Sequence, residues 1–487
     1  MRKTKIVCTL GPATDPPDVI RAMIDAGLDV ARVNFSHGLH EEHKVRIEAL
    51  REACVECGST VALLADTKGP EIRLGTFENG GTMLTAGSTF ALTTDTVEGN
   101  ASRASITYEG LPAEVAQGTR ILLDDGLIEL IVESVSGSTI ATRVVNSGKI
   151  SNRKSVNVPG VHLDIPYICA KDRLDLRFIV ENDFDFIAAS FVRSAKDVNE
   201  IRDELTRIDR RNKIKIIAKI ENAEGVYNFD TILDVSDGVM VARGDLGVEV
   251  EYEELPIIQK DLIKRTLAQG KPVITATQML ESMIVNPRPT RAETSDVANA
   301  IYDGTSAIML SGETAVGKYP VEALRAMSKI ALRIEKSIDY RKRFRQMDYK
   351  SEASITNAIS HATVTTSHDL RAAANLTVSM SGNTAQNVTK YRPICPIIAC
   401  TPDTVVHRQQ KLNWGVIPIL TKEETDTAEL FSHAVEASMD AGLLHEGELI
   451  VLTAGVPVGH SGTTNLLKVH VVGEKFLFNF SLDGYVL

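Results

Sequence analysis

The chain has 487 residues and a mass of 53.0 kDa, with 43% hydrophobic residues, 24% charged residues and a formal net charge of −11. That length exceeds what a single core organises and implies about two to four domains, while the composition excludes extensive disorder. The acidic balance, with no Lys/Arg cluster, excludes general nucleic-acid binding, and no apolar run approaches the ~18 residues of a membrane span.

In chain order, the opening MRKTKIVCTLGPATDPPD has too short an apolar run for a signal peptide. With six scattered cysteines, it leads us to expect a protein of the reducing cytoplasm. Three apolar runs of β type follow: KIVCTL (Lys5 to Leu10), DVARVNF (Asp29 to Phe35) and TVALLAD (Thr60 to Asp66). Between them lie FSHGLHEEH, whose His37, His40 and His43 fan around a helix and read as surface or packing residues rather than a zinc site, and the isolated pair Cys54 and Cys57, read as a thiol-packed helix end.

From Pro70 to Tyr167 the grammar changes. RILLDDGLIELIVESVSGSTIATRVV alternates apolar and polar residues and is punctuated by Asp-Gly and Ser-Gly turns, which predicts a small antiparallel β unit. Five more β runs then resume: FDFIAAS (Phe184 to Ser190), KIKIIAKIE (Lys213 to Glu221), GVMVAR (Gly238 to Arg243), PVITAT (Pro272 to Thr277) and AIMLSG (Ala307 to Gly312). Within each group the starts fall about 24 to 35 residues apart, the length of a βα unit, and eight such units close a parallel barrel. The predicted fold is an α/β protein: a (β/α)8 TIM barrel over 1–69 and 168–345, an inserted β lid over 70–167 and a C-terminal open α/β regulatory domain over 346–487. In that last part, LTVSMSG, PIIACT, VIPIL, LIVLTAG and KVHVV are the strand candidates. The loops LTVSMSGNTA and VPVGHSGTTN offer hydroxyls and backbone N–H groups to a phosphate, although ordinary turn chemistry explains them equally well.

A closed barrel would gather Arg32, Asn34, Ser36, Asp66, Thr67, Lys68, Arg73, Lys219, Glu221, Arg243, Asp245, Thr277, Ser311 and Glu313 at its C-terminal mouth. Lys219 and Glu221 are spaced two apart and so share one strand face; burying both costs several kcal/mol per ion unless each has a partner. A structural ion pair is one reading, and a metal or anionic-substrate site the other. Glu221 and Asp245 supply hard oxygen ligands suited to Mg2+ or Mn2+, whereas Asn34, Ser36, Asp66 and Thr67 form a mostly neutral oxygen cluster suited to a monovalent cation. Arg32, Arg73, Lys68, Lys219 and Arg243 add cationic donors. Metal and cations without an evident nucleophile or Walker loop suggest phosphoryl transfer.

ARVNFSHG, LADTKGPEIRLG, KIIAKIENAEGV, VMVARGDLGVEV, ITATQMLESM, NPRPTRAE and AIMLSGETAVGKYP occur in one order along the chain, and together they resemble the pyruvate kinase family. The resemblance implies transfer of a phosphoryl group from phosphoenolpyruvate to ADP, giving pyruvate and ATP, with Mg2+ and K+, in a homotetramer activated by an effector such as a sugar phosphate or AMP. Position by position, it implies that Glu221 and Asp245 hold Mg2+ and that Lys219 stabilises the group in flight. Arg32 and Thr277 join it as catalytic groups, and Ala242, Arg243 and Gly244 lie beside the substrate with Asp245. It further implies that Arg32, Asn34, His37, Arg73 and Lys154 meet the nucleotide, that Asn34, Ser36, Asp66 and Thr67 hold K+, and that Glu71 accompanies K+ dependence. Ser379, Ser381, Gly382, Asn383 and Thr384 correspond to the effector loop. Two departures stand out: Arg153, Lys154 and Ser155 replace the family's usual Lys-Lys-Gly, and Met380 sits where some relatives carry lysine. Outside this resemblance, a barrel aldolase or lyase with a Schiff base on Lys219, and a catalytically silent metabolite binder, are the alternatives.

Overall fold

The computed structural model describes residues 1–346, 353–424, 426–457 and 464–476. Its centre is a closed barrel of eight parallel strands, Lys5–Thr9, Val30–Asn34, Ala62–Asp66, Phe186–Ala189, Lys215–Ile220, Gly238–Ala242, Val273–Ala276 and Ala307–Leu310, each hydrogen-bonded to its neighbours in chain order. All eight runs read from the sequence are present, shorter by one to three residues because the ladder ends where the chain turns into its loops.

Strand parity decides what faces inward. Val7, Val30, Leu64, Phe186, Ala188, Ile217, Met240, Ile274 and Met309 form the interior core. Their neighbours Ile6, Cys8, Ala31, Val33, Leu63, Ala65, Ile187, Ile216 and Val239 pack outward against the helices. Extending the inward set two residues at a time toward the C-terminal strand ends leads to Arg32, Asp66, Ser190, Lys219 and Glu221. The interior is thus apolar at the floor and ionic at the mouth, where barrel enzymes build their sites.

The segment after the third barrel strand forms a seven-stranded sheet with its own core, including Phe90, Leu92, Ile121, Leu130 and Ile140. It is not wholly antiparallel as the turn pattern suggested. Thr89–Thr93 and Arg103–Ser105 pair in parallel, because the joining residues 94–102 carry the chain back to the start of the neighbouring strand instead of closing a tight hairpin. Beyond the barrel, Val416–Leu420, Ile397–Thr401, Ala374–Val378 and Leu449–Ala454 form a parallel sheet, closed at one edge by the antiparallel strand Leu466–Val471. This sheet docks beneath the barrel floor: Lys5 Nζ donates to Val416 O at 2.8 Å, and Arg392 Nη2 to Gly304 O at 2.9 Å. Among the described residues no helix is long and apolar enough to cross a membrane.

Candidate active site

Lys219 ends the inward face of the fifth strand and is buried. Its Nζ lies 2.8 Å from Glu221 Oε1, 3.0 Å from Asp66 Oδ1 and 2.8 Å from Ser190 Oγ. Burial works against its charge, but the carboxylates of Asp66 and Glu221 outweigh that cost and hold its pKa above the ordinary lysine value. Asp66 Oδ2 also accepts from Arg32 Nε at 2.6 Å, and Arg32 Nη1 donates to Thr9 Oγ1 at 2.9 Å.

Glu221 shows the opposite balance. Burial and the nearby Asp245 push its carboxyl up to about 7, despite Lys219. Asp245, in the first turn of helix Arg243–Glu249, is likewise raised, mainly by burial. Neighbouring buried acids resist ionising together, and a cation that joined them would relieve that cost. Glu221 Oε2 accepts from Phe191 N at 2.6 Å; Oε1 is buried with no hydrogen-bond donor, since its 2.8 Å approach to Lys219 is an ion pair outside hydrogen-bond geometry. That oxygen keeps a lone pair for another ligand. No group of three or more His, Cys, Asp and Glu residues able to hold a metal exists among the described residues, so this carboxyl pair is the candidate and any further ligands would come from substrate or water.

The remaining residues divide between those that join this centre and those that do not. Asn34 Oδ1 accepts from Ser36 N at 3.0 Å, and Thr67 lies beside Ser190, so the proposed monovalent cluster is contiguous with Asp66. Thr277 adopts φ +66° and Gln278 φ +54°, left-handed backbone that is costly for a β-branched residue and that gathers at active sites. Thr277 Oγ1 accepts from Gly244 N at 2.8 Å, while Ala242 ends the sixth strand. Arg243 corrects the expectation of a free cationic clamp. Its guanidinium is buried, donates to Thr277 O at 2.6 Å and pairs with Asp296 at 2.7 Å, because an uncompensated charge there would cost too much. Glu313 is likewise consumed, accepting the backbone N–H of Leu280 at 3.0 Å and of Ser311 at 2.7 Å. Arg73 and Lys68 both pair with Glu71, at 2.7 and 3.3 Å, and Lys154 pairs with Asp124 at 2.8 Å on the inserted sheet. Ser155 Oγ bonds the Asp125 N–H and carboxylate, which gives the departure from glycine a local use. His37 is exposed ahead of helix His40–Glu56; His40 meets Asp175 at 2.6 Å and His43 packs on Phe35, as packing residues should. Between inserted sheet and mouth runs a cleft of about 550 Å³ bordered by Arg73, Ser155, Phe191, Asn222, Asp245 and Glu249.

Sequence reasoning missed Ser190 and Thr9, although both lie on the inward parity of strands already identified. It also missed Phe191, whose backbone N–H holds Glu221. In the C-terminal sheet, Ser379 Oγ accepts from Gly382 N at 3.1 Å, ahead of helix Asn383–Thr389, and Thr384 meets Thr464 at 3.0 Å. Ser381 and Asn383 flank Gly382 in that turn. Most of the second loop, 458–463, lies outside the described residues.

The barrel-domain family of pyruvate kinase matches residues 1–324, and its alpha/beta-domain family matches 357–470. The chain belongs to the pyruvate kinase family. It is 53% identical over 475 residues to the pyruvate kinase of Geobacillus stearothermophilus, covering 97% of this chain and 81% of the relative. To that of Staphylococcus aureus (strain MRSA252) it is 48% identical over 477 residues, covering 98% and 81%. A crystal structure of a pyruvate kinase from Cryptosporidium parvum superposes with a TM-score of 0.92 at 40% identity, covering 97% and 96% of the two chains. Membership makes the chain a phosphotransferase of the kinase class.

Proposed function

We propose that the chain transfers the phosphoryl group of phosphoenolpyruvate to ADP, yielding pyruvate and ATP, in the last step of glycolysis and in the cytoplasm, with Mg2+ and K+. The observation that carries this reading is the burial of Glu221 near Asp245, both carboxyls raised above their ordinary values, beside a lysine held charged. The donor set fits a hard divalent ion: Glu221 Oε1 is buried without a donor, and burial raises both acids, a cost that a bound cation would offset. Mg2+ bound there supplies charge neutralisation for the phosphoryl oxygens and the enolate. Asn34, Ser36, Asp66 and Thr67 suit K+, since their single carboxylate is already balanced by Arg32 and Lys219.

Lys219, fixed by three oxygens, meets the group in flight with its charge in place at no reorganisation cost. Arg32 orients a phosphate beside it, and the backbone of Ala242, Arg243 and Gly244 receives the substrate carboxylate. Thr277 stands where C3 of the enolate is protonated. Arg32, Asn34, His37, Arg73 and Lys154 line the nucleotide side, and the inserted unit of residues 70–167 closes over it as a lid hung from the barrel of 1–69 and 168–345. Residues 346–487 form a regulatory domain whose turn Ser379, Ser381, Gly382, Asn383 and Thr384 takes a phosphorylated activator, a sugar phosphate or AMP, within a homotetramer.

An aldolase-type Schiff base needs a neutral lysine, and the carboxylates around Lys219 oppose that. A coupled assay with phosphoenolpyruvate, ADP, Mg2+ and K+ tests the reading. Lys219→Met should lower kcat by about 10² to 10³, and near-parental turnover would end the role proposed for it. Replacing K+ by tetramethylammonium should depress the rate strongly; an unchanged rate would dismiss the monovalent site.

A further inference from the structure

Ser190 stands where the two chain crossings into the inserted sheet meet the lysine of the mouth. Its Oγ accepts from Lys219 Nζ at 2.8 Å and donates to Thr67 O at 2.6 Å, at the root of the outgoing crossing. Its N–H donates to Thr67 Oγ1 at 3.2 Å. Two residues on, Gly69 has φ +67°, and a Cβ there would lie 2.8 Å from Ser190 O, so the outgoing chain presses directly on this residue. The returning crossing reaches the same atoms: buried Tyr167 donates its Oη to Ser190 O at 2.8 Å. The next residue, Phe191, has φ +53° and gives its N–H to Glu221 Oε2 at 2.6 Å. A two-residue corner therefore holds Lys219 with one residue and Glu221 with the other, while both roots of the inserted sheet bear on it.

We infer that Ser190 is a positioning residue that transmits the seating of the inserted sheet on the barrel to the ammonium of Lys219. The inference rests on the role proposed for Lys219 and adds the element that places it. Were Glu221 to serve a cation, Ser190 and Asp66 would be the two groups left to hold Lys219 Nζ. A movement of either crossing shifts the Ser190 backbone, and the hydroxyl carries that shift to the lysine. The competing account is a strand-end serine that merely satisfies Thr67 O, which would cost stability but have no special relation to Lys219.

The test is a double-mutant cycle in the coupled assay. Ser190→Ala should lower kcat by about ten- to a hundredfold, the scale of a misplaced reacting group, with KM for ADP within twofold of the parent. In a Lys219→Met background the same change should cost less than twofold. Tyr167→Phe, which removes the bond to Ser190 O and no bond to the lysine, should lower kcat by a smaller factor that also vanishes in that background, and it serves alone if Ser190→Ala does not fold. A Ser190→Ala enzyme with parental kcat, or one whose loss persists in full in the Lys219→Met background, overturns the inference; for Tyr167→Phe the same two outcomes do so. Were Lys219→Met itself nearly as active as the parent, the reading of Lys219 would fall and the inference with it. A crippled Lys219→Met beside an unaffected Ser190→Ala overturns the inference alone.

Discussion

The floor and the mouth of the barrel both bury charge, with opposite outcomes. At the floor, Asp29, Asp185 and Asp237 each stand one residue before a strand and accept a backbone N–H from the strand alongside: Ile6 at 2.9 Å, Leu63 at 2.8 Å and Ile216 at 2.9 Å. Each also meets an arginine, Arg2, Arg408 at 2.7 Å and Arg202 at 3.0 Å. At the mouth Asp66, Glu221 and Asp245 gather around Lys219 and Arg32, and Glu221 and Asp245 are both raised above their ordinary values. The floor gives each acid a backbone N–H and an arginine of its own and holds the strands in register, whereas at the mouth three carboxyls face two cations. The difference separates stability from function, because an incompletely compensated charge is what a cationic ligand can stabilise.

The comparison breaks if charge removal acts alike at both ends. The largest effect belongs to the mouth. Glu221→Gln should lower kcat/KM by about 10² to 10³ and raise the Mg2+ concentration needed for half-activation, without lowering the melting temperature, since it relieves repulsion with Asp245. A lower melting temperature would place Glu221 with the floor acids. Next, Asp29→Asn, which strands Arg2, should cost about 3 kcal/mol of stability in urea unfolding while kcat stays parental.

A pH series sharpens the picture within the floor itself. For Asp29, burial favours the neutral form, but Arg2 and Lys5 overcome it and hold the pKa below the usual carboxylate range. Its stabilisation is therefore present above about pH 4 and is lost as the pH falls through the lower folded-state pKa. For Asp185 burial prevails over Arg408 and pushes the carboxyl up to about 6, so its contribution is present below about pH 4 and is lost as the pH rises through about 6. Urea midpoints between pH 3 and 7 should lose the acid-side slope in Asp29→Asn and the slope above pH 4 in Asp185→Asn; identical profiles would refute the assignment. The smallest effect is expected at Lys213, whose pair with Asp403 joins the barrel to the C-terminal sheet with the lysine mostly exposed. Lys213→Ala should cost under about 1 kcal/mol.

The eight barrel strands, the inserted β unit and the five later strands were legible because each is a local pattern: an apolar run or alternation bounded by turns. Lys219 and Glu221 were legible because strand parity is local too. The seven motifs carried the family, while the carboxyl pair was already legible from the ends of the fifth and sixth strands. Other features depended on partners distant in sequence. The tether of Arg243 to Thr277 and Asp296, the capture of Glu313 by Leu280 and Ser311, and the meeting of Thr67, Tyr167 and Lys219 at Ser190 each join segments that only barrel closure brings together.

The amino-acid sequence by itself therefore determined the kinds of element, their order and the ionisable groups at each strand end, since backbone periodicity and side-chain chemistry are properties of neighbours along the chain. Which of those groups stay charged, which are tied off and which are pushed toward the neutral form was decided only by the closed barrel. Coulomb energy and desolvation depend on distances and burial across the fold, which spacing along the chain does not set.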